Sequence, residues 1–445
     1  MLVRKLSVLF ISLSYFFLVK SSEKDIYLIC FTDKHNTPFS LEDPERYLSE
    51  KAIEKRQRFN IIIDSLDLPV DPEYQLRIIS SGAEIINRSK WLNAVTVLAD
   101  SAVMSRIVNL RFVKEIEKTG SYLSLKQLPP PDASGVVNKG ITNDLTNGYC
   151  LHDLGYRGKG IDIAVIDAGF SNIDSISAFD SLRSRNGIRG FRNFVPGRGK
   201  TVEGSWHGIS VLGILAGKIP DQYSGTAPDA SYWLLSTEDR LWEYPAEEDF
   251  MVAALEFADS AGTDIANVSL GYHTFKDDEF HRIPAMMDGR TSRSSVATQV
   301  AAAKGMLIIV SAGNEGNKKW KQITSPGDSP AVLTVGAVDK NNRIVPFSSV
   351  GPTADGRVKP EIYALGKDVV TLNGDGKLIL LSGTSFATPI ITGFCACLWQ
   401  AFPELTNWQM IYLLKTFARI PDGFQLDDGS GIPDFERIFT ILSEK

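Results

Sequence analysis

A chain of 445 residues is long enough to bury a large core and to hold more than one folding unit, which excludes a peptide-sized or fibrous protein. Hydrophobic residues make up 43% and charged residues 22%, with glycine and proline at ordinary levels, so a soluble globular protein is expected and a disordered one is excluded. The formal net charge is only −6, and no run of Lys and Arg interleaved with aromatics occurs, which argues against nucleic acid or an anionic membrane surface as a partner.

At the N-terminus, Arg4 and Lys5 precede an uncharged, mostly apolar run from Leu6 to Val19, closed by Lys20, Ser21 and Ser22. That is a signal-peptide layout, since a run of about 14 residues falls short of the roughly 20 needed to span a bilayer. An uncleaved anchor is the alternative. The expectation is export to the periplasm or the medium, with residues 1–22 as the signal peptide and no stable membrane insertion. Cys30 lies in no lipobox-like context.

Residues 23–120 read as a small α+β unit. A strand (Ile26 to Phe31) is followed by helices at about Pro44 to Phe59 and Tyr74 to Ser81 and by a strand around Ile85. A strand (Trp91 to Ala99), a helix (Asp100 to Val108) and a strand (Phe112 to Glu117) complete it. The order suggests a ferredoxin-like, split β-α-β arrangement with an extra helix. No cluster of His, Cys or paired carboxylates in it points to chemistry. Residues 121–149 differ in kind: Leu123 to Leu128 runs into Pro129, Pro130 and Pro131, then into a Gly-, Asn- and Thr-rich stretch ending at Gly148. This reads as an exposed linker, the sort of segment that proteases cut.

From residue 150 to 445 apolar strands alternate with helices. Ile161 to Ile166 and Met306 to Ser311 are unbroken apolar runs suited to parallel strands buried on both faces, while Phe250 to Gly262 and Ser294 to Gly305 read as helices. A doubly wound α/β domain with a mainly parallel sheet is expected.

Four segments of this domain carry candidate chemistry. Ile161 to Gly169 (I-D-I-A-V-I-D-A-G) delivers Asp167 at the carboxyl end of a buried strand, where such sheets place ligands and reacting groups; an Asp there also serves as a cap, a metal ligand or a ribose contact. His207 stands in S-W-H-G-I-S-V-L-G-I-L-A-G, with Gly208 permitting close backbone approach. Of the five His, His35 lies in the first unit and His152, His273 and His281 fall in loop-like polar contexts, so His207 is the strongest candidate, against the plain reading of a satisfied core histidine. Ser382 to Pro389 (S-G-T-S-F-A-T-P) follows a hairpin turn at Asn373 to Gly376. It puts Ser385 at a helix N-terminus, where free N–H groups favour an oxyanion, or where a Ser simply caps the helix. Pro389 fits if it lies in that helix's first turn. In Ser311 to Gly316 (S-A-G-N-E-G), Asn314 is either a turn residue or an amide aimed at developing charge.

Together the four segments resemble the subtilisin-like serine protease family. Asp167 stands in D-x-G, His207 in H-G, Asn314 in A-G-N and Ser385 in G-T-S-x-A-x-P, with the triad members in the order Asp, His, Ser that separates this family from other serine hydrolases. Gly225 to Ala230 (G-T-A-P-D-A), Asn267 to Gly271 (N-V-S-L-G), Phe347 to Glu361 (F-S-S-V-G-P, then K-P-E) and Gly431 to Asp434 extend the likeness over most of residues 150 to 440. The resemblance implies an endopeptidase with Ser385 as nucleophile, His207 as base and Asp167 orienting it. The Ser385 N–H and the Asn314 amide would hold the oxyanion, and Ser269, Leu270 and Gly271 would pair with an extended substrate. It further implies that residues 23–120 are a propeptide that assists folding and inhibits the enzyme, released by a cut between Thr119 and Asn143. The partners implied are polypeptide substrates and the chain's own propeptide, with the enzyme a monomer. Three positions depart from the family pattern: Ala168, Ile209 and Leu365 stand where Ser or Thr, Thr and Pro are usual, which bears on the placement of Asp167 and His207 and on pocket shape.

Two other classes compete for the same sheet. A nucleotide-dependent enzyme or an esterase on a similar sheet requires G-x-G-x-x-G, a P-loop or G-x-S-x-G, and none occurs. A catalytically silent binding protein with the subtilisin fold would have lost one of the four site residues, and all four are present. No cofactor is required by the implied mechanism. Structural calcium is open, with Asp427, Asp428 and Asp434 close in sequence but in no EF-hand spacing, so no metal site is assigned. Cys30, Cys150, Cys395 and Cys397 are too few and scattered for a disulfide framework and are read as small buried hydrophobes.

Overall fold

The computed structural model describes residues 24–121, 143–197, 205–238, 243–421, 423–425 and 429–444. The signal-peptide segment and residues 122–142 of the linker lie outside them. The first unit runs β1 (Asp25–Phe31), α1 (Glu50–Arg58), α2 (Pro72–Ser80), β2 (Glu84–Ser89), β3 (Ala94–Ala99), α3 (Ser101–Ile107) and β4 (Val113–Ser121). Its sheet has the order β2-β3-β1-β4 with every pairing antiparallel, which is the ferredoxin-like order. Two details depart from the sequence reading. The helix expected from Pro44 breaks into a short 3-10 turn (Pro44–Arg46) and α1, because Ser49 restarts the helix as its cap, its Oγ accepting from the Ala52 N–H at 3.2 Å. The strand expected from Trp91 begins at Ala94, after a turn that ends with Asn93 in the left-handed region at φ 49°.

The second unit comprises α4 (Tyr149–Asp153), β5 (Asp162–Asp167), α5 (Asp180–Ser184), β6 (Ile188–Asn193), α6 (His207–Ala216), the ribbon β7 (Lys218–Ile219) and β8 (Tyr223–Ser224), β9 (Ser231–Ser236) and α7 (Ala246–Ser260). It continues with β10 (Ile265–Val268), α8 (Arg293–Ala303), β11 (Leu307–Ser311), β12 (Leu333–Val338), β13 (Ile362–Leu365), the hairpin β14 (Val369–Leu372) and β15 (Leu378–Leu381), α9 (Thr384–Ala401), α10 (Asn407–Thr416) and α11 (Phe435–Ser443). Seven strands form one parallel sheet in the order β13-β12-β11-β10-β5-β9-β6.

The sheet is apolar on both faces, which is why its central strands read as unbroken hydrophobic runs. Ile163 and Val165 of β5 and Leu307 and Ile309 of β11 enter the layer packed with α6 and α9. Their neighbours Ala164, Ile166, Ile308 and Val310 enter the layer packed with α7 and α8. Strand order reverses around β5, with β9 and β6 on one side and β10 onward on the other, so the carboxyl end of β5 lies at a topological switch point.

The small unit sits on the α7 and α8 face. Ile26, Trp91 and Leu98 join the apolar layer of α7, while Ile29, Val95, Ile78 and Ile107 make the unit's own core. Glu256 of α7 accepts from Ser89 Oγ and from the Lys90 and Trp91 N–H groups, and burial pushes its carboxyl up to about 7. The four cysteines are free thiols, with Cys395 and Cys397 fully buried in α9.

Candidate active site

Asp167 is the last residue of β5 and its side chain is fully buried. The Ala168 N–H donates to Oδ1 at 2.7 Å, a backbone contact that Ser or Thr at 168 would make equally well, so that departure does not move Asp167. His207 opens α6 with its Nδ1 2.8 Å from Asp167 Oδ1 and 3.0 Å from Oδ2, which fixes the ring between two elements distant in sequence. Its own N–H donates to Ser205 Oγ at 3.1 Å. Ile209 is buried in the apolar layer under α6. Leu365 ends β13, nearly buried in the same layer.

Gly208 is required by contact. A Cβ there would lie 2.3 Å from the Gly169 carbonyl oxygen and 2.9 Å from the Phe170 ring, so only glycine lets the first turn of α6 lie against the loop that follows Asp167. Gly208→Ala is expected to lose about 1–3 kcal/mol of stability through overpacking. Even a displacement near 1 Å of His207 would cost about a hundredfold in turnover. Thermal melting and kcat/KM on one protein sample separate the two effects.

Ser385 is the second residue of α9 and is 8% exposed. Gly383 before it is extended, and a Cβ there would come within 3.2 Å of Ser385 Oγ. Pro389 is not in the first turn, as the sequence reading required, but is the sixth residue of α9. A residue with an N–H at that position would donate to the Ser385 carbonyl. Ser269 replaces the missing bond, its Oγ donating to Ser385 O at 2.9 Å. Asn267 Nδ2 donates to Ser269 Oγ at 3.0 Å, and Thr392 Oγ1 to Asn267 Oδ1 at 3.0 Å, closing a buried chain of bonds back into α9. The Ser269 hydroxyl is therefore occupied in holding the Ser385 peptide, while Leu270 and Gly271 beside it are partly exposed.

Asn314 follows Gly313, whose φ of 105° belongs to glycine and turns the chain away from the end of β11. Asn314 Oδ1 accepts from the Thr384 N–H at 2.9 Å and from Thr384 Oγ1 at 3.0 Å, and that hydroxyl accepts from the Gly313 N–H at 3.2 Å. A backbone N–H only donates, so the amide oxygen faces Thr384 and Nδ2 is the donor left for other work.

Several residues of the site were missed in the sequence. Thr384 sits inside the serine motif itself, and Ser205 stands two residues before His207 in the position of a helix-start hydroxyl, so both had a local signal. The Phe386 ring lies 5.5 Å from the His207 ring, bringing the first turn of α9 against α6. Glu238 had no signal. It is buried beyond β9, where the Thr237 N–H donates to Asp167 O at 3.0 Å. Burial raises its carboxyl pKa against the Tyr272 hydroxyl, which donates to it.

The remaining histidines lie elsewhere. His152 is not in a loop: it belongs to α4, edge-on to Phe394, with Nε2 2.9 Å from Thr226 O. The His273 ring lies tilted against Trp320, centroids 4.8 Å apart, beside Glu315, and burial lowers its pKa. Of the acidic residues weighed for calcium, Asp434 caps α11 by accepting from the Arg437 N–H and also receives Asn147 Nδ2, while Asp427 and Asp428 lie outside the described residues.

A doubly wound parallel sheet with Asp167, His207, Asn314 and Ser385 gathered at the carboxyl side of its strands, and a ferredoxin-like unit docked on two of its helices, is the architecture of a subtilisin-like protease with its propeptide. The chain belongs to the subtilase family: the family model for subtilases of peptidase family S8 matches residues 158–435, and that for the peptidase S8 propeptide domain of Bacteroidota matches residues 26–132. It is 28% identical over 346 residues to subtilisin NAT of Bacillus subtilis subsp. natto, covering 77% of this chain and 79% of that protein. It is 30% identical over 287 residues to serine protease AprX of Bacillus subtilis (strain 168), covering 58% and 61% respectively. The structure of the prenylagaramide maturation protease PagA matches with a TM-score of 0.52 at 24% identity, over 66% of this chain and 98% of that one, a likeness of fold. The protein is accordingly a subtilisin-family serine protease with a propeptide domain. Among the described residues no helix is long and apolar enough to cross a membrane.

Proposed function

We propose that the protein is an exported serine endopeptidase, made as a zymogen and freed by its own cut, with Asp167, His207 and Ser385 as its triad. The observation that carries this reading is the grip of the Asp167 carboxylate on His207 Nδ1 at 2.8 and 3.0 Å, which leaves Nε2 as the basic nitrogen of the ring. His207 takes the Ser385 hydroxyl proton as Oγ attacks the scissile carbonyl, and Asp167 stabilises the imidazolium that forms. The tetrahedral oxyanion accepts from the Ser385 N–H, one of the free donors at the start of α9, and from Asn314 Nδ2. His207 then protonates the leaving amine, and water attacks the acyl-enzyme by the same route in reverse. Leu270 and Gly271, and the backbone of Ser269, pair with the extended substrate.

The zymogen reading draws on the docked first unit. Thr119 is buried in β4, and Asn143 is buried with paired hydrogen bonds to Val370 at 2.7 and 2.9 Å. Both ends are anchored, so processing is assigned to the stretch between Thr119 and Asn143, with residues 1–22 removed on export. An active secreted enzyme still covalently joined to residues 25–118 would contradict the zymogen reading.

The test is to express the chain from Ser22 and offer it unfolded casein and a serine-directed fluorophosphonate, beside Ser385→Ala. The wild type is expected to cleave and to label, and the variant to do neither. A folded wild-type protein, released from its propeptide, that does neither is instead a catalytically silent binding protein.

A further inference from the structure

Beyond the carboxyl ends of the adjacent parallel strands β10 and β11, paired through Val268 and Val310, the chain continues as Ser269–Tyr272 and Ala312–Asn314. Ser269 holds the Ser385 peptide and Asn314 holds Thr384, so the two segments flank the reacting serine. On the endopeptidase reading, a peptide with its scissile carbonyl over Ser385 and its oxygen at Asn314 would set the preceding side chain between them. Both segments present a glycine there, Gly271 and Gly313. A gap walled by two glycines accepts a large side chain unless another residue fills it.

Thr324 fills it. Its N–H donates to Ala312 O at 3.2 Å, and the next residue, Ser325, exchanges backbone bonds with Tyr272 at 2.8 and 3.2 Å, so this segment is stitched to both walls. A Cβ built on Gly271 would lie 2.2 Å from Thr324 Oγ1, and one built on Gly313 would lie 2.9 Å from the same oxygen. One side chain thus stands against both glycines. Thr324 is 3% exposed, and its Oγ1 has no hydrogen-bond partner among the described residues, so internal hydrogen bonding does not account for a hydroxyl here. A β-branched residue in so tight a place has little rotamer freedom with which to move aside.

We propose that Thr324 is the floor of the pocket for the residue before the scissile bond, and that it restricts that residue to Gly, Ala or Ser. The inference rests on the endopeptidase reading above. Long aliphatic, aromatic and basic side chains are excluded by volume, whereas a serine hydroxyl brings a partner within reach of Oγ1.

The experiment uses the self-processed protein and tetrapeptide anilides that differ only in the last residue: Ala, Leu, Phe or Lys. Wild type is expected to favour Ala over Phe by at least about a hundredfold in kcat/KM, since even a few misfitting methylenes reach that scale. Thr324→Gly is expected to raise the Phe-to-Ala ratio at least about tenfold, and Thr324→Ala to raise the Leu-to-Ala ratio to a smaller degree. Because a ratio does not depend on the amount of active enzyme, a poorly folding variant still reports. Wild type that cleaves Phe or Lys as well as Ala, or ratios unmoved in both variants, overturns the pocket and leaves the protease standing. Cleavage of none of the four by protein that also fails on casein overturns the protease reading, and the pocket with it.

Discussion

Replacing Asn314 by Ala is expected to lower kcat by about a hundred- to a thousandfold with little change in KM, the scale known for loss of the oxyanion asparagine in subtilisin. The near-constant KM follows from the proposed role: an Nδ2 that meets the substrate oxygen only as charge develops on it would make its bond chiefly in the transition state. This residue also has a structural task that complicates the Ala variant. Its Oδ1 receives the N–H and the hydroxyl of Thr384, so truncation leaves a buried donor unpaired at the start of α9, at about 1–3 kcal/mol. Asn314→Asp separates the two tasks. Asp still accepts from Thr384 but offers no donor and sets a negative charge against the oxyanion, so it is expected to keep most of the melting temperature while losing at least as much kcat as Ala. If both variants lose less than about fivefold in kcat, Asn314 does not serve the oxyanion.

The parts of the molecule that were legible in its sequence are those whose cause is local. Ile161 to Ile166 and Met306 to Ser311 read as buried parallel strands because burial on both faces removes polar residues from a strand, and the structure places them at the sheet centre. Asn373 to Gly376 read as a hairpin turn, and the Gly376 N–H donates to Asn373 O at 2.9 Å between β14 and β15. The four site motifs were legible because each is short and tied to one strand end or helix start. What escaped depends on residues far apart. The sequence admits Pro389 only in a first turn, and nothing near it shows that Ser269 supplies the bond it lacks further in. Thr324 lies in no periodic run and acquires its place only because Gly271 and Gly313 come to face it. Ser49 was visible as a cap in principle, but the polar stretch from Pro44 kept helical spacing and concealed the break.

Asp259→Ala is expected to weaken the hold of the propeptide more than any other single change at that interface. Asp259, in the last turn of α7, is fully buried, with Arg56 Nη2 at 2.9 Å from both its oxygens and Lys90 Nζ at 3.0 Å. Arg56, itself 1% exposed, also reaches Asp67 at 2.6 Å, which in turn receives Lys304 Nζ at 2.7 Å. The result is a row of alternating charge, Lys90, Asp259, Arg56, Asp67 and Lys304, drawn from both units. Removing Arg56 still leaves Asp259 paired with Lys90, and Asp67 paired with Lys304, which also holds Asp64. Removing Asp259 takes the partner carboxylate from Lys90 and leaves Arg56 only Asp67, which Lys304 also holds while pairing with Asp64 at 3.1 Å; breaking a buried pair of this kind costs about 3–5 kcal/mol. The expected readout is a loss of at least about a hundredfold in affinity of the isolated propeptide for the mature domain, with Arg56→Ala losing less. The same carboxylate gives the pH dependence its sign. Burial opposes its charge, but Lys90, Arg56 and Lys55 overcome that and hold its pKa below the usual aspartate value. Its contribution is therefore complete above about pH 4 and is lost as the pH falls through the lowered value, so acid loosens the uncleaved zymogen through this group. Melting of Ser385→Ala zymogen with and without Asp259→Ala, between pH 3 and 7, is expected to show two curves that converge at the acid end. Propeptide affinity within threefold of wild type, or curves that stay parallel, would mean that the row of charges is carried by the fold without holding the propeptide.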